Sequence, residues 1–315
     1  MTRVLSVGEA LVLLQPAERG RIETVRRFEA RVAGAESNVA IGLARLGIPV
    51  AFAGAVGGDP FGTFIRHTLA GEGVDISRIE VRPEPTGIFF KEWFGLGEDP
   101  NVYYYRHQSA GSAWSPAVPP EALLEGIGWL HTSGITLMVG ERTRHTTEAL
   151  IQAARARGLV ISLDINLRRK LAPPDAWRAV LAPLVQVCDV LLASRDELEA
   201  VFGSADPDRL RAAGWLAPGR ALVVKEGERG AWMTVDGERT AAPAFSVRRV
   251  VDLVGAGDGF AAGLIAARLK GWDWPRALGL ANLVGAFAVA HPGDWEGYPT
   301  WDECERVLAA NWVDR

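Results

Sequence analysis

Short apolar runs alternate with amphipathic helical patterns over almost the whole of this chain, and that alternation limits its fold more than any other feature. The spacing predicts strands at Val4–Gly8, Val50–Val56, Gly128–Ser133, Leu159–Asp164, Val187–Ala193 and Ala221–Lys225. Between and after them it predicts helices at Glu36–Leu46, Pro60–Glu72, Glu141–Arg157, Pro174–Val187, Arg195–Phe202, Gly257–Lys270 and Trp274–His291. A strand–helix–strand rhythm buries its apolar faces by laying helices on both sides of one sheet. The expected fold class is therefore α/β, with a doubly wound, mainly parallel sheet. Sheets of this kind take ligands at the carboxyl ends of their strands.

Two segments break the rhythm. Residues 10–32 read as a pair of short strands around Pro16 and Gly20. Residues 87–107 read as a hairpin, Gly87–Phe94 and Val102–Arg106, around the turn Gly95-Leu96-Gly97-Glu98-Asp99-Pro100. Neither segment has room for a helical crossover. Both are read as one small β-sheet lid inserted into a single domain spanning residues 1–315. The second segment carries Phe89, Phe90, Trp93, Phe94 and Tyr103-Tyr104-Tyr105. So much aromatic surface needs cover on both faces, from substrate on one side and a partner subunit on the other. A homodimer through the lid, or a hexamer built from such dimers, is expected.

Composition narrows the function classes. At 48% hydrophobic and 23% charged residues the chain is an ordinary globular protein, and its 315 residues allow a large core. No apolar run reaches membrane-spanning length, and the chain enters a strand pattern directly, without a signal-peptide pattern. The two cysteines, Cys188 and Cys304, form no motif and suit a reducing compartment, so the expected location is cytoplasmic. A net charge of −4 speaks against general nucleic-acid binding. The histidines show no metal-ligand spacing, and neither a Ser-His-Asp elbow nor a Walker lysine loop is present.

The stretch Val250-Val251-Asp252-Leu253-Val254-Gly255-Ala256-Gly257-Asp258-Gly259-Phe260 carries the strongest chemical signal. An apolar run gives way to three tiny residues and then to an Ala-rich helix. Small residues at a helix start leave the first N–H groups open, and the helix dipole adds positive potential there. Such a terminus suits a phosphate or another developing anion. Asp258 beside it is a carboxylate able to take a proton from an attacking hydroxyl. Together these are the parts that phosphoryl transfer to an alcohol requires. Asp is also a common helix cap and glycine a common turn residue, so the four residues alone allow a purely structural reading.

The longer pattern resembles the C-terminal signature of the ribokinase-like (PfkB) carbohydrate kinases, Asp-Thr-x-Gly-Ala-Gly-Asp, with Leu253 where Thr or Pro is common. Gly34-Ala35-Glu36-Ser37-Asn38, with Gly47 and Gly57, resembles the N-terminal signature of the same family. The resemblance spans essentially the whole chain. It implies that Asp258 is the catalytic base and that the Gly255, Ala256 and Gly257 amides stabilise the transferring group. It also implies that Gly34 and Asn38 approach the sugar. Ser194-Arg195-Asp196-Glu197 stands where the family reads Asn-x-x-Glu, which implies that Glu197 organises magnesium through water. A solvated acidic helix start is the plain alternative there. Val224-Lys225-Glu226-Gly227-Glu228-Arg229-Gly230-Ala231 is equally well read as a hairpin. The resemblance places it along an ATP site, with Ser194, Lys225, Gly227, Gly230 and Ala231 near the nucleotide and Asn282 beside adenine. Asn282 could equally be a packing residue. Asp252 is a candidate ligand for a monovalent cation such as potassium.

Substrate class is expected from two arginines. Arg168, after the strand ending in Asp164, and Arg106, leaving the aromatic hairpin, could meet over one pocket. Two guanidinium groups suit a carboxylate and have no use on a neutral hexose. A surface arginine stacked on tyrosine is the alternative for Arg106. The stretches Tyr104-Tyr105-Arg106 to Ala113, Ser133-Gly134-Ile135-Thr136 and Gly293-Asp294-Trp295-Glu296-Gly297 resemble 2-keto-3-deoxygluconate kinases. By that resemblance Phe89, Tyr104, Ile135 and Asp294 join the sugar site. The implied reaction is ATP-dependent phosphorylation of the terminal hydroxyl of 2-keto-3-deoxygluconate. A fructokinase, or a non-catalytic sugar or nucleotide sensor, is the rival reading.

Overall fold

A computed structural model describes residues 3–18, 20–92 and 101–313, with side chains through residue 309. The strands are β1 (Arg3–Val7), β2 (Leu11–Pro16), β3 (Phe28–Ala33), β4 (Val50–Gly57), β5 (Asp75–Arg82), β6 (Ile88–Glu92) and β7 (Asn101–Tyr105). They continue as β8 (Ile127–Ser133), β9 (Val160–Asp164), β10 (Val190–Ser194), β11 (Ala221–Lys225), β12 (Ala231–Val235) and β13 (Glu238–Ala242).

Nine strands form the large sheet in the order β13-β12-β11-β10-β9-β8-β1-β4-β5. From β11 through to β5 every neighbouring pair is parallel, and β12 and β13 close that edge antiparallel. The chain runs outward from β1 in both directions, so the order reverses between β1 and β8. A crevice opens at such a point because the loops after the two strands diverge to opposite faces.

One face is covered by helices Ala35–Arg45, Pro60–Gly71, Ala256–Leu269 and Trp274–Val289, the other by Glu141–Ala156, Pro174–Val185 and Arg195–Phe202. Each face has its own apolar cluster, centred on residues such as Phe52, Ile65, Leu264 and Leu280 on the first and Leu130, Ile151, Trp177 and Leu198 on the second. Helix entry is set locally. Asp59 accepts from Gly62 N at 2.8 Å with Pro60 next in line, and Ser194 and Glu197 form a reciprocal capping box.

The two segments without crossovers build a separate four-stranded sheet, β3-β2-β6-β7. β2–β3 and β6–β7 are antiparallel pairs, joined by the parallel β2–β6 contact. Its inward face buries Leu11, Leu13, Ala33 and Phe89. Its outward face carries Phe28, Phe90 and Tyr105 in edge-on contact at 5.6 and 5.7 Å. The turn expected at Gly95–Pro100, with Trp93 and Phe94, lies outside the described residues.

Several expected boundaries shift. β10 begins at Val190 rather than Val187, because Gln186–Asp189 turn between helix and strand and Asp189 accepts from Ile161 N at 2.9 Å. β5 has no counterpart among the expectations. It is an edge strand with Asp75, Arg78, Glu80 and Arg82 interspersed, which protects the edge and removes the apolar run. The Gly-x-x-Gly segment is the turn of a hairpin, since β11 and β12 pair antiparallel around Gly227–Arg229.

Candidate active site

A cavity of about 560 Å³ lies at the carboxyl ends of β1, β8, β9, β10 and β11, roofed by the small sheet. Its floor is the start of helix Ala256–Leu269. Gly255, at φ 81°, caps that helix, and a side chain there would collide with the backbone of Asp294. Only glycine tolerates both the left-handed turn and the close approach. Tyr298 Oη donates to the Gly255 carbonyl at 2.6 Å, which fixes the turn that aims the first helical N–H groups at the cavity. Gly34, at φ 133°, uses the same device at the start of helix Ala35–Arg45, where a Cβ would meet the Glu9 carbonyl. Both glycines therefore bring helix N-termini against the same space.

Asp258 stands in the first turn of its helix and faces the cavity. Asn38 donates to its Oδ2 at 2.8 Å, and Asn166 donates to its Oδ1 at 3.3 Å. Asn166 holds φ 47°, a conformation that asparagine accepts more readily than most residues. Burial pushes the Asp258 carboxyl up to about 7; the Asn38 bond opposes this and the nearby Asp164 charge adds to it. A carboxyl titrating there suits a general base at neutral pH.

Lys225 lies beside Gly257, its Nζ 2.9 and 2.6 Å from the two Asp164 oxygens. Burial works against the Lys225 charge, but Asp164 and Glu197 outweigh it and hold its pKa above the usual lysine value. Asp164 is raised as well, chiefly by burial; Lys225 opposes this and the Glu197 charge adds to it. Glu197 faces the cavity while accepting from Leu167 N at 2.8 Å and Ser194 N at 2.6 Å. Both of its oxygens are fixed by backbone donors, and the remaining lone pairs are disposed to hold a metal through water. Among the described residues no group of three or more His, Cys, Asp or Glu side chains gathers as a ready metal cage.

The roof supplies Phe89 and Tyr104, stacked at 5.3 Å, and Arg106 over the Tyr104 ring at 5.4 Å. Arg106 lines the cavity, as does Arg168, but it already has an acid partner. It is buried in an ion pair with Glu9, with Nε 2.8 Å from Oε2, and Ser109 donates to the other oxygen at 2.5 Å. Glu9 lies two residues after β1 and Arg106 one residue after β7, so the pairing became visible only when the small sheet was set over the end of the large one. Arg168 reaches the cavity from the exposed turn after β9, and no ion pair holds it among the described residues. Ile135 and Asp294 complete the walls. Ile135 is set by Glu36, whose buried Oε1 accepts from Ser133 N at 3.0 Å and from Thr136 Oγ1 at 2.6 Å.

The remaining expected site residues lie apart from this cavity. Gly227, Gly230 and Ala231 sit in and after the β11–β12 turn. Asn282 donates its side-chain amide to the carbonyls of Ala242 and Pro243, both at 3.0 Å. It thereby braces the rim of a second cavity of about 380 Å³, lined by Ala242, Pro243, Phe245, Trp272 and Gly279. Ala256 opens the helix without lining the main cavity. Asp252 is buried behind the cradle, where Val254 N donates to its Oδ1 at 3.0 Å. Its other oxygen faces Lys91 Nζ at 3.6 Å, and the same ammonium is 2.5 Å from Asp294 Oδ1. The room between these acids is filled by an ammonium group, so the side chains do not fit a potassium ion at that point. Lys91 and Glu9 are the site residues that sequence reasoning missed. The available signals were a lysine among aromatic strand residues and an acid directly after the first strand.

The profile described as pfkB family carbohydrate kinase matches residues 1–301. The chain is 36% identical over 311 residues to 2-dehydro-3-deoxygluconokinase of Bacillus subtilis, covering 97% of this chain and 95% of that protein. It is also 33% identical over 319 residues to a fructokinase of Klebsiella pneumoniae, covering 97% and 99%. Among solved structures, a putative ribokinase II from E. coli in complex with ATP and Mg²⁺ superposes with a TM-score of 0.89 at 28% identity, covering 98% and 100% of the two chains.

Proposed function

The chain belongs to the pfkB family of carbohydrate kinases, and we propose that its own reaction is the ATP-dependent phosphorylation of 2-keto-3-deoxygluconate at the terminal hydroxyl. The product would be 2-keto-3-deoxy-6-phosphogluconate, an intermediate of Entner–Doudoroff-type sugar-acid breakdown. The observation that carries the sugar-acid reading is Arg168, a cation without an acid partner among the described residues, lining the cavity that holds Asp258. A carboxylate paired with Arg168 would be held in the same cavity as the base.

In this reading Asp258 takes the proton of the attacking hydroxyl, and Asn38 and Asn166 hold its carboxylate in line. Gly255 and Gly257 line the cavity, and their N–H groups would face the transferring phosphoryl group, where charge develops. Lys225, already beside Gly257, neutralises phosphate oxygens, and Asp164 keeps it in place. ATP would lay its phosphates along this edge and its base in the second cavity, between Pro243 and Gly279. Glu197 would hold magnesium through water, and the ion would supply positive charge to offset the phosphate oxygens. The small sheet acts as a lid that excludes water from the reacting atoms. We also assign its outward aromatic face to a homodimer, or to dimers within a hexamer, and the protein to the cytoplasm; among the described residues no helix is long and apolar enough to cross a membrane.

A fructokinase is the second reading, and the Glu9–Arg106 pair favours it by removing one of the two charges expected to hold a carboxylate. Coupled assay of ATP consumption across keto-deoxy acids, fructose, ribose and adenosine tests the choice. A higher kcat/KM on 2-keto-3-deoxygluconate than on fructose supports the first reading, and the reverse order replaces it with the second.

A further inference from the structure

The chain has only four lysines, at positions 91, 170, 225 and 270, against thirty arginines. Lys91 is among its most deeply buried large side chains, at 1% exposure. It belongs to β6 of the small sheet, yet its ammonium reaches across to acids of two other segments. Asp294 Oδ1 is 2.5 Å away and Asp252 Oδ2 is 3.6 Å away. Asp252 Oδ2 is buried and accepts no hydrogen bond among the described residues. Two carboxylates withdrawn from water next to each other cannot both stay ionised cheaply without a cation between them.

The position of this pair gives it consequence. Asp252 sits three residues before Gly255 and accepts from Val254 N, within the turn that shapes the anion cradle. Asp294 packs its backbone against Gly255 from the other side and also lines the cavity. The segment around Asp294 is fastened to the small sheet twice more, by Arg31 to Glu296 at 3.0 Å and by Trp295 Nε1 to the Val32 carbonyl at 2.7 Å. Lys91 is the one of these links that also touches the cradle.

We propose that Lys91 is a positioning residue: its ammonium serves as a tethered cation between Asp252 and Asp294, holds the Gly255 turn in its anion-binding shape, and makes the enzyme independent of added monovalent cations. The small sheet thereby provides from within the chain what a free cation would otherwise have to provide by binding from solution. This rests on the kinase reading but not on the identity of the sugar.

The test has an activity arm and a binding arm. Wild-type enzyme, assayed with whichever acceptor it turns over, should change by less than about twofold when potassium replaces choline at constant ionic strength. Activation of the wild type by about fivefold or more overturns the proposal. In choline buffer Lys91→Met should lose about tenfold or more in kcat, because two buried acids are left without their cation. Ammonium or potassium, but not choline, should restore part of that loss and raise the melting temperature of the variant, leaving the wild type unmoved. The melting arm reads the cation site even if no acceptor is found, which separates this proposal from the choice of substrate. A Lys91→Met variant with near-normal kcat in choline, or a loss that no cation reverses in either readout, overturns it.

Discussion

Asp258 on the floor of the cavity and Glu9 in its roof are both withdrawn from water, at 9% and 3% exposure, yet the chain treats them in opposite ways. Asp258 is held by two neutral amides, which fix its geometry without cancelling its charge, and its carboxyl is pushed up to about 7. Glu9 is given a guanidinium and a hydroxyl, and Asp294 is given an ammonium. Among the described residues the acid that must exchange a proton has no cation in direct contact, whereas an acid that must hold two sheets together is paired with one. Burial alone does not mark a catalytic group. The type of partner does.

The contrast can be broken most directly at the base. Asp258→Asn should lower kcat by about 10²–10⁴ with little change in ATP affinity, measured by steady-state kinetics and nucleotide titration. Near-normal turnover in a folded variant would remove Asp258 from the role. In the roof the expected effect is on stability. Arg106→Ala leaves Glu9 buried without its cation and should cost about 3–5 kcal/mol in denaturant unfolding. Adding Glu9→Gln should recover much of it. If Arg106→Ala unfolds like the wild type and only KM for the sugar acid rises, Arg106 is a substrate ligand and the contrast fails.

The pH dependence sharpens the same point. The base must be ionised, so kcat/KM should fall by about tenfold per pH unit below about 7, where Asp258 takes up its proton. Because the folded-state value lies above the ordinary 3.8, Asp258 makes the fold less stable as pH rises from that value through about 7. A profile flat down to pH about 5 would show that the rate does not depend on a raised Asp258 carboxyl. Arg168→Ala should act more mildly, raising KM for the keto-deoxy acid by about 1.5–3 kcal/mol while leaving neutral sugars nearly unchanged. Equal losses on both substrate types would favour the fructokinase reading. Tyr105→Glu, on the outward face at 64% exposure, should have the smallest catalytic effect but should shift a dimer toward monomer in light scattering. A particle mass unchanged by that charge would place any subunit contact elsewhere.

Much of the fold was legible because its signals are local. The start of helix Arg195–Phe202 is written in Ser194 and Glu197, and β11 matches the expected Ala221–Lys225 because its apolar run stops at a lysine. β5 escaped because an edge strand needs charges where a central strand has valines. Gly34, Asn38, Gly255, Gly257 and Asp258 could be singled out because a tight turn opening a helix leaves its mark within a few residues of sequence. All five line one cavity.

The amino-acid sequence by itself determined the α/β alternation, the small separate sheet and the helix start that carries Asp258, since periodicity, caps and glycine turns act between near neighbours. Tertiary structure alone decided the charge state of the site. Arg106 lies 97 residues from Glu9, and Lys91 lies 203 residues from Asp294. Whether a charge is free to bind substrate depends on which opposite charge folding brings within about 4 Å in a place shielded from water, and no local pattern records that distance.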